Sequence, residues 1–230
     1  MKKIIVLLAF AASFAGCEVL KQIEIPTQQP LTTTDIIAGL KQALEIGTNN
    51  SVGFLGKTDG FYGNPLFKIP FPEEAKVVEE KLRDLGMNRL VDDFIRTMNR
   101  GAENAVKLAA PIFVDAIKEM TFEDARNILR GPDDAATSYF RDKTSSRLAE
   151  LFRPEVQTAL EKVDATRYWG DITTTYNRIP FVRKVETDLA KYVTEKTMNA
   201  LFIKVAEEEK LIRTDPAARV TDLLKKVFGS

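Results

Sequence analysis

VETDLAKYVTEKTMNALFIKVAEEEKLI, residues 185–212, holds a helical period throughout and decides the fold class. At 1.5 Å per residue it would run about 40 Å. Segments on both sides repeat the pattern. Asp35 to Ile46 places Ile36, Ile37, Leu40, Ala43 and Leu44 at helical spacing, with Thr34 as N-cap and Gly47 as the stop. From Thr48 to Phe71 the period fails, because Gly53, Gly56, Gly60, Gly63, Pro65 and Pro70 punctuate it. Helix resumes at Pro72, a residue suited to a first turn, and Glu73 and Glu74 favour the positive end of the helix dipole. Val77, Val78, Leu82 and Leu85 form its apolar stripe, and Gly86 ends it.

Asn88 is positioned to cap the next helix, which runs through Leu90, Val91, Phe94, Ile95, Met98, Ala102, Ala105 and Ala109 until Pro111 kinks or breaks it. The alanine spacing implies close approach of another helix. Ile112 to Met120 continues the period, and Thr121-Phe122-Glu123-Asp124 reads as a capping arrangement for a short helix stopping at Gly131-Pro132. Asp134 to Phe152 is the following helix, ended by Pro154, and a shorter one covers Glu155 to about Val163. Tyr168 to Tyr176 carries Ile172 and three threonines with strand propensity but has no partner strand, so it is assigned as helix. Asp215-Pro216 caps a final amphipathic helix containing Val220, Leu223, Leu224 and Val227. No internal repeat is present. The expectation is an all-α, single-domain helical bundle of about seven to ten helices with one long glycine- and aromatic-rich loop.

The chain opens with Met1-Lys2-Lys3 and an uncharged, mostly apolar run from Ile4 to Ala15, followed by Gly16-Cys17. A basic start, a short apolar run and small residues before a cut site are the marks of a secretory signal. Twelve such residues are too few for a spanning helix, which needs about 20. Phe14-Ala15-Gly16-Cys17 resembles the lipobox of bacterial lipoproteins, with Phe14 where an aliphatic residue is usual. The implied organisation is a signal peptide at 1–16, a lipidated tether at 17–33 and a helical domain at 34–230. Cys17, the single cysteine, would carry the lipid, which leaves no partner for a disulfide. Sixteen flexible residues of tether would reach on the order of 20–25 Å. The expected location is the cell envelope, facing the periplasm. Glu18 rather than Asp after Cys17 favours the outer over the inner membrane by the Gram-negative sorting rule.

Charge and composition exclude several functions. The 33 basic and 33 acidic side chains become 31 and 33 when Lys2 and Lys3 are removed, a net charge of −2. No basic surplus remains to neutralise phosphates, so nucleic acid is not an expected partner. The absence of histidine removes Ser-His-Asp and Cys-His catalysis, most zinc sites and histidine-ligated haem, and no cofactor is expected. Gly56-Lys57-Thr58 matches the tail of a phosphate-binding loop, but Ser51 stands where that motif needs glycine and a helix precedes it. The acidic pairs Asp92/Asp93 and Asp133/Asp134 and the run Glu207-Glu208-Glu209 read as helix starts or solvated faces.

Several strings act together as a signature. They are Gly39-Leu40-Lys41-Gln42-Ala43-Leu44, Asn64-Pro65-Leu66-Phe67-Lys68-Ile69-Pro70-Phe71-Pro72, Met98-Asn99-Arg100, Ala135-Ala136-Thr137-Ser138-Tyr139-Phe140, Tyr192-Val193-Thr194, and Asp215-Pro216-Ala217-Ala218-Arg219 through Leu223-Leu224-Lys225-Lys226-Val227-Phe228-Gly229. In this order, over nearly all of residues 32–229, they resemble the bacterial domain of unknown function family 4197. Met198-Asn199-Ala200-Leu201-Phe202 departs from it, with alanine at 200 where glycine is expected. The resemblance implies an exported helical protein and brings no activity with it.

The segment from Phe54 to Phe71 is the candidate site. Phe54, Phe61, Tyr62, Phe67 and Phe71 place five aromatics in eighteen residues, and a loop of that length without regular structure is commonly functional. Asn64 and Lys68 are its candidate polar anchors for a partner protein or an apolar small molecule. The alternative use of the rings is to cap the core. The functional expectation is a lipid-anchored, non-enzymatic binding or interaction module. The alternative is a histidine-free hydrolase acting on cell-wall glycan through paired carboxylates, which requires two converging carboxyls in one cleft.

Overall fold

Helix α1 begins where Thr32 and Asp35 cap each other: the Thr32 hydroxyl accepts from the Asp35 N–H, and the Asp35 carboxylate accepts from the Thr32 N–H. The cap is therefore Thr32, two residues before Thr34. A computed structural model describes residues 32–161, 169–170, 173–174, 177–178, 180–181, 184 and 188–228, apart from the side chain of Glu74. The expected signal peptide, Cys17 and residues 18–31 of the expected tether lie outside the described residues, as does much of the Tyr168–Tyr176 segment, while Thr33, expected as the last tether residue, is already helical. Within that segment Trp169, Gly170, Thr173 and Thr174 are helical.

α1 runs Thr33–Gly56, so Gly47 does not stop it, and the irregular segment begins nine residues later than expected. The reason is packing. Gly47 is buried against another helix, where a Cβ would stand 3.4 Å from that of Glu208, and the glycine serves close approach rather than termination. The neighbouring hydroxyls are satisfied within the helix: Thr48 donates to the Leu44 carbonyl at 2.8 Å and Ser51 to that of Gly47 at 2.7 Å.

A 3-10 turn over Glu73–Ala75, with Pro72 just outside it as N-cap, leads into α2, Lys76–Asp84. Gly86 ends α2 as expected. At φ 78° it sits in the left-handed region, and the Gly86 and Met87 N–H groups return to the carbonyls of Arg83 and Leu82, both at 2.9 Å. α3, Asn88–Ala105, starts with Asn88 as its first helical residue, not as its cap. Ala102 and Ala105 are fully buried, and a Cβ on Gly101 would lie 3.2 Å from that of Ala159, which is the close approach implied by the alanine spacing.

Pro111 interrupts the period one turn upstream of itself. Its ring excludes a helical carbonyl four residues back, and Val106–Leu108 tightens to a 3-10 turn. α4, Ala109–Glu119, then carries Pro111 in its first turn, where no N–H is needed. α5, Phe122–Arg130, has the expected reciprocal cap between Thr121 and Asp124.

α6 is one helix, Ala135–Glu161, with Pro154 inside it, not two helices divided there. Leu148, Phe152, Val156 and Leu160 are fully buried at four-residue intervals on both sides of the proline. Continuous burial of that row outweighs the roughly 3 kcal/mol that an interior proline costs. α7, Leu189–Thr214, is capped by Asp188, whose side chain accepts from the Lys191 N–H. Asp215-Pro216 starts a 3-10 turn, Pro216–Ala218, and α8 covers Asp222–Phe228.

The described residues contain no strand, and α1–α8 fall within the expected range, so the fold is all-α. α6 packs on α3, α4 and α7, while α1 packs on α7, α4 and α8. One large core joins them, with Phe113 in ring contact with Phe140 and Phe202, and a smaller cluster of Ala43, Ile212 and Leu224 seats α8. Ala200, the departure from the family pattern, is buried in α7. Among the described residues no helix is long and apolar enough to cross a membrane.

Candidate functional site

Between α1 and the 3-10 turn before α2, residues 57–72 are irregular, and the glycines and prolines of this stretch explain why. Asn64 folds it locally: its side-chain oxygen accepts from the Leu66 N–H at 2.9 Å, and its carbonyl accepts from the N–H groups of Phe67 and Lys68. Asn64 is thus a turn former, half-buried in the segment it shapes.

Two polar side chains of α3 hold the segment from beneath. Asn99 is fully buried; its Oδ1 accepts from the Ile69 N–H, and its Nδ2 donates to the carbonyls of Ile69 and Ile95, all at 2.8 Å. One turn along, buried Glu103 accepts from the N–H groups of Phe61 and Tyr62, both at 3.1 Å. Arg100 lies outside them and bridges two acids, Glu103 at 2.6 Å and Asp59 at 2.8 Å. The hydrogen bond that Arg100 donates to Glu103 is the largest influence holding its guanidinium above the ordinary pKa. Met98-Asn99-Arg100 therefore ties a loop to a helix.

The candidate residues divide by depth. Phe61, Phe67 and Phe71 are buried, and Phe71 joins Phe94 and Trp169 in a cluster with ring centroids 5.2–5.9 Å apart. Phe54 is half-buried, edge-on to Phe67 and lying between the ammonium groups of Lys57 at 4.5 Å and Lys204 at 4.9 Å. Tyr62 is half-buried, and Lys68 is exposed with its Nζ 4.5 Å from the Tyr62 ring centroid. Arg96 and Arg100 approach the same ring to 5.7 Å each. Arg96 is paired with Asp93 and Arg100 with Asp59 and Glu103, so Lys68 is the cation of this group without an acidic partner among the described residues. Leu66 beside them is 66% exposed.

Two residues that organise the molecule escaped the sequence reading. Glu103 carries no local signature. Glu209 sits in the run Glu207-Glu208-Glu209, read as a solvated face, yet it is buried and accepts from the N–H groups of Ala136 and Thr137 at 2.9 Å. It caps α6 from α7, held by Arg213 at 2.8 Å. The available signal was the spacing Val205, Glu209, Ile212, which continues the buried row of α7. Glu207 and Glu208 do reach water, and both pair with Lys204. Burial works against the Lys204 ammonium, but the hydrogen bonds it donates to Glu208 and Glu207 more than offset this and raise its pKa. Among the described residues no three metal-ligating side chains converge.

Helical bundle, pinned aromatic segment and histidine-free composition define a class of all-α protein without a recognisable catalytic constellation among its described residues. The chain belongs to the family of proteins of unknown function DUF4197, whose model matches residues 30–229. No curated protein and no solved structure matches the chain.

Proposed function

We propose that this chain is a lipid-anchored envelope protein, non-enzymatic, whose helical body docks a partner protein through the outward side of residues 57–71. The carrying observation is the contrast across that segment. Its inner side is fixed by Asn99, Glu103 and three buried rings, while Tyr62, Leu66 and Lys68 stand at the surface. A surface held rigid before binding loses little conformational entropy on association. Phe61, Phe67 and Phe71 are occupied in the core, which favours a protein partner over an apolar small molecule. An exposed leucine, a tyrosine and a cation suit a partner with an apolar contact and an acidic side chain.

The hydrolase alternative gains no support from the buried acids. Glu103 and Glu209 both accept from backbone N–H groups and a guanidinium, which leaves little capacity for proton transfer to a substrate. Asp35 and Asp124 have lowered pKa values, chiefly through the Thr32 and Thr121 hydroxyls, the opposite of what a general acid needs.

The anchor is tested by metabolic palmitate labelling. Cys17→Ser is expected to abolish labelling and release the body from membranes, and persistent labelling would sink the lipoprotein reading. Docking is tested by a photoreactive residue at Leu66 in living cells. The expected result is a discrete protein adduct that disappears with Tyr62→Ala or Lys68→Glu while thermal stability is retained. If Leu66 yields no more adduct than the same probe at exposed Glu195, the segment is not a docking surface.

A further inference from the structure

A second surface lies where the described chain begins. The first turn of α1 and the outer side of α5 enclose a groove of about 260 Å³, with Ile36, Ile37 and Leu129 along it and Phe122, Arg126 and Arg130 on the α5 side. Spacings of four residues place these last three in one row on α5. Phe122 is 48% exposed, and the Arg126 guanidinium lies 4.9 Å from its ring centroid.

The charge at this groove is unbalanced in a particular way. Most arginines with described surroundings, including Arg83, Arg96, Arg100, Arg147, Arg153 and Arg213, are paired with acids. Arg126 and Arg130 have no acid within ion-pair distance among the described residues. Asp35 and Asp124, the acids of the two adjoining helix starts, are turned onto their own caps at Thr32 and Thr121. Of the two acids on α5, Glu123 is the exposed one beside the row. Two guanidiniums without an acidic partner among the described residues, around a half-exposed aromatic, match the phosphate layer and the upper acyl region of a bilayer.

Position supplies the second argument. The chain enters α1 at Thr32, fifteen residues after Cys17, and Thr33 itself lines the groove. The far end of α1, at Gly56, is about 35 Å away along the helix. A covalent anchor at Cys17 restrains the Thr33 end most tightly and raises the effective concentration of bilayer there.

We infer that the α1–α5 groove is a membrane-docking face, on which Arg126 and Arg130 bind the phosphates of anionic phospholipid and Phe122 enters the apolar layer. This rests on the lipid-anchor reading above. It assigns the bilayer a second contact with the protein, which fixes the orientation of the body.

The test uses the full lipoprotein reconstituted in phosphatidylethanolamine–phosphatidylglycerol vesicles. Acylated Cys17 leaves an introduced cysteine as the only free thiol, so Thr33→Cys and Thr58→Cys each carry one environment-sensitive fluorophore. The label at 33 is expected to shift blue and to be quenched by nitroxide placed just below the lipid headgroups, while the label at exposed position 58 is not. Arg126→Gln with Arg130→Gln is expected to lower the docked-to-undocked ratio on the order of 25-fold, from roughly fivefold per basic residue. Replacing phosphatidylglycerol with a zwitterionic lipid should have the same effect. Equal quenching at 33 and 58, or no response to the arginine changes in a normally folded variant, overturns the inference. A blue shift at 33 without nitroxide quenching overturns it as well, since a protein surface would then cover the groove. Flotation and palmitate labelling of the same samples report on the anchor separately. A chain that floats but does not dock sinks this inference alone, and an unlabelled chain that does not float sinks the anchor reading and this inference together.

Discussion

Glu209→Ala is expected to destabilise the protein by about 3–5 kcal/mol, the usual consequence of removing one partner from a desolvated ion pair. The Glu209 side chain is 5% exposed and that of Arg213 15%, so neither is well hydrated. Glu209 accepts from the N–H groups of Ala136 and Thr137, from the Thr137 hydroxyl, and from Arg213. Without it the first turn of α6 loses its cap and Arg213 keeps only main-chain acceptance from Ile128. At about 2–4 °C per kcal/mol for a domain of this size, the thermal midpoint should fall by roughly 10 °C. Glu209→Gln keeps an acceptor but turns an amide N–H toward Arg213 or the helix start, so an intermediate loss is expected. Glu209→Leu combined with Arg213→Met should recover much of the alanine loss, because no buried charge is then left unpaired. Urea unfolding of the four proteins checks this. A loss below about 1 kcal/mol in Glu209→Ala would place the clamp among ordinary surface pairs.

The same residue shows where reading the sequence stops. A triple glutamate on a helix has the composition of a wet face. Only the three-dimensional pairing of α7 with the start of α6 makes its third member an internal cap. Features whose cause is local were legible: the Thr121–Asp124 cap, the Gly86 terminus with its left-handed φ, and the amphipathic periods that give the all-α class. Misreadings occurred where a local breaker met a stronger tertiary demand. Gly47 lies under α7, and Pro154 is exposed on a helix whose other face carries a buried row continuous past it, so neither ends its helix. The candidate segment was visible from its aromatic content, but depth was not. Period-free sequence offers no way to tell that Phe61 and Phe67 point inward while Tyr62 and Lys68 remain at the surface. Asn99 and Glu103, which set that division, are ordinary polar residues on an amphipathic helix until Ile69, Phe61 and Tyr62 are brought against them.

Asn99→Ala is the second large expected effect, and it separates global stability from the order of residues 57–71. The substitution leaves the Ile69 N–H and carbonyl buried without partners, at about 1–3 kcal/mol for each unsatisfied group, so a loss of about 3 kcal/mol is expected. Because Asn99 grips the second half of the segment and Glu103 the first, the damage should be uneven. Hydrogen exchange is expected to accelerate most at Ile69 and its neighbours, with the amides of Phe61 and Tyr62 retaining more protection. Trypsin cleavage should appear early at Lys68, which is already exposed. Asn99→Asp keeps the acceptor for the Ile69 N–H but loses both donors and faces two carbonyls. Burial penalises its charged form and raises its pKa, so its destabilisation should grow as pH rises through that value and shrink in acid. Uniform loss of protection across the chain, with no excess at Ile69, would mean that Asn99 supports the core rather than the segment. If residues 57–71 form the docking surface, Asn99→Ala should also weaken the Leu66 adduct although Asn99 itself is inaccessible. The cause would be that the partner must then order a surface which the native protein presents already fixed.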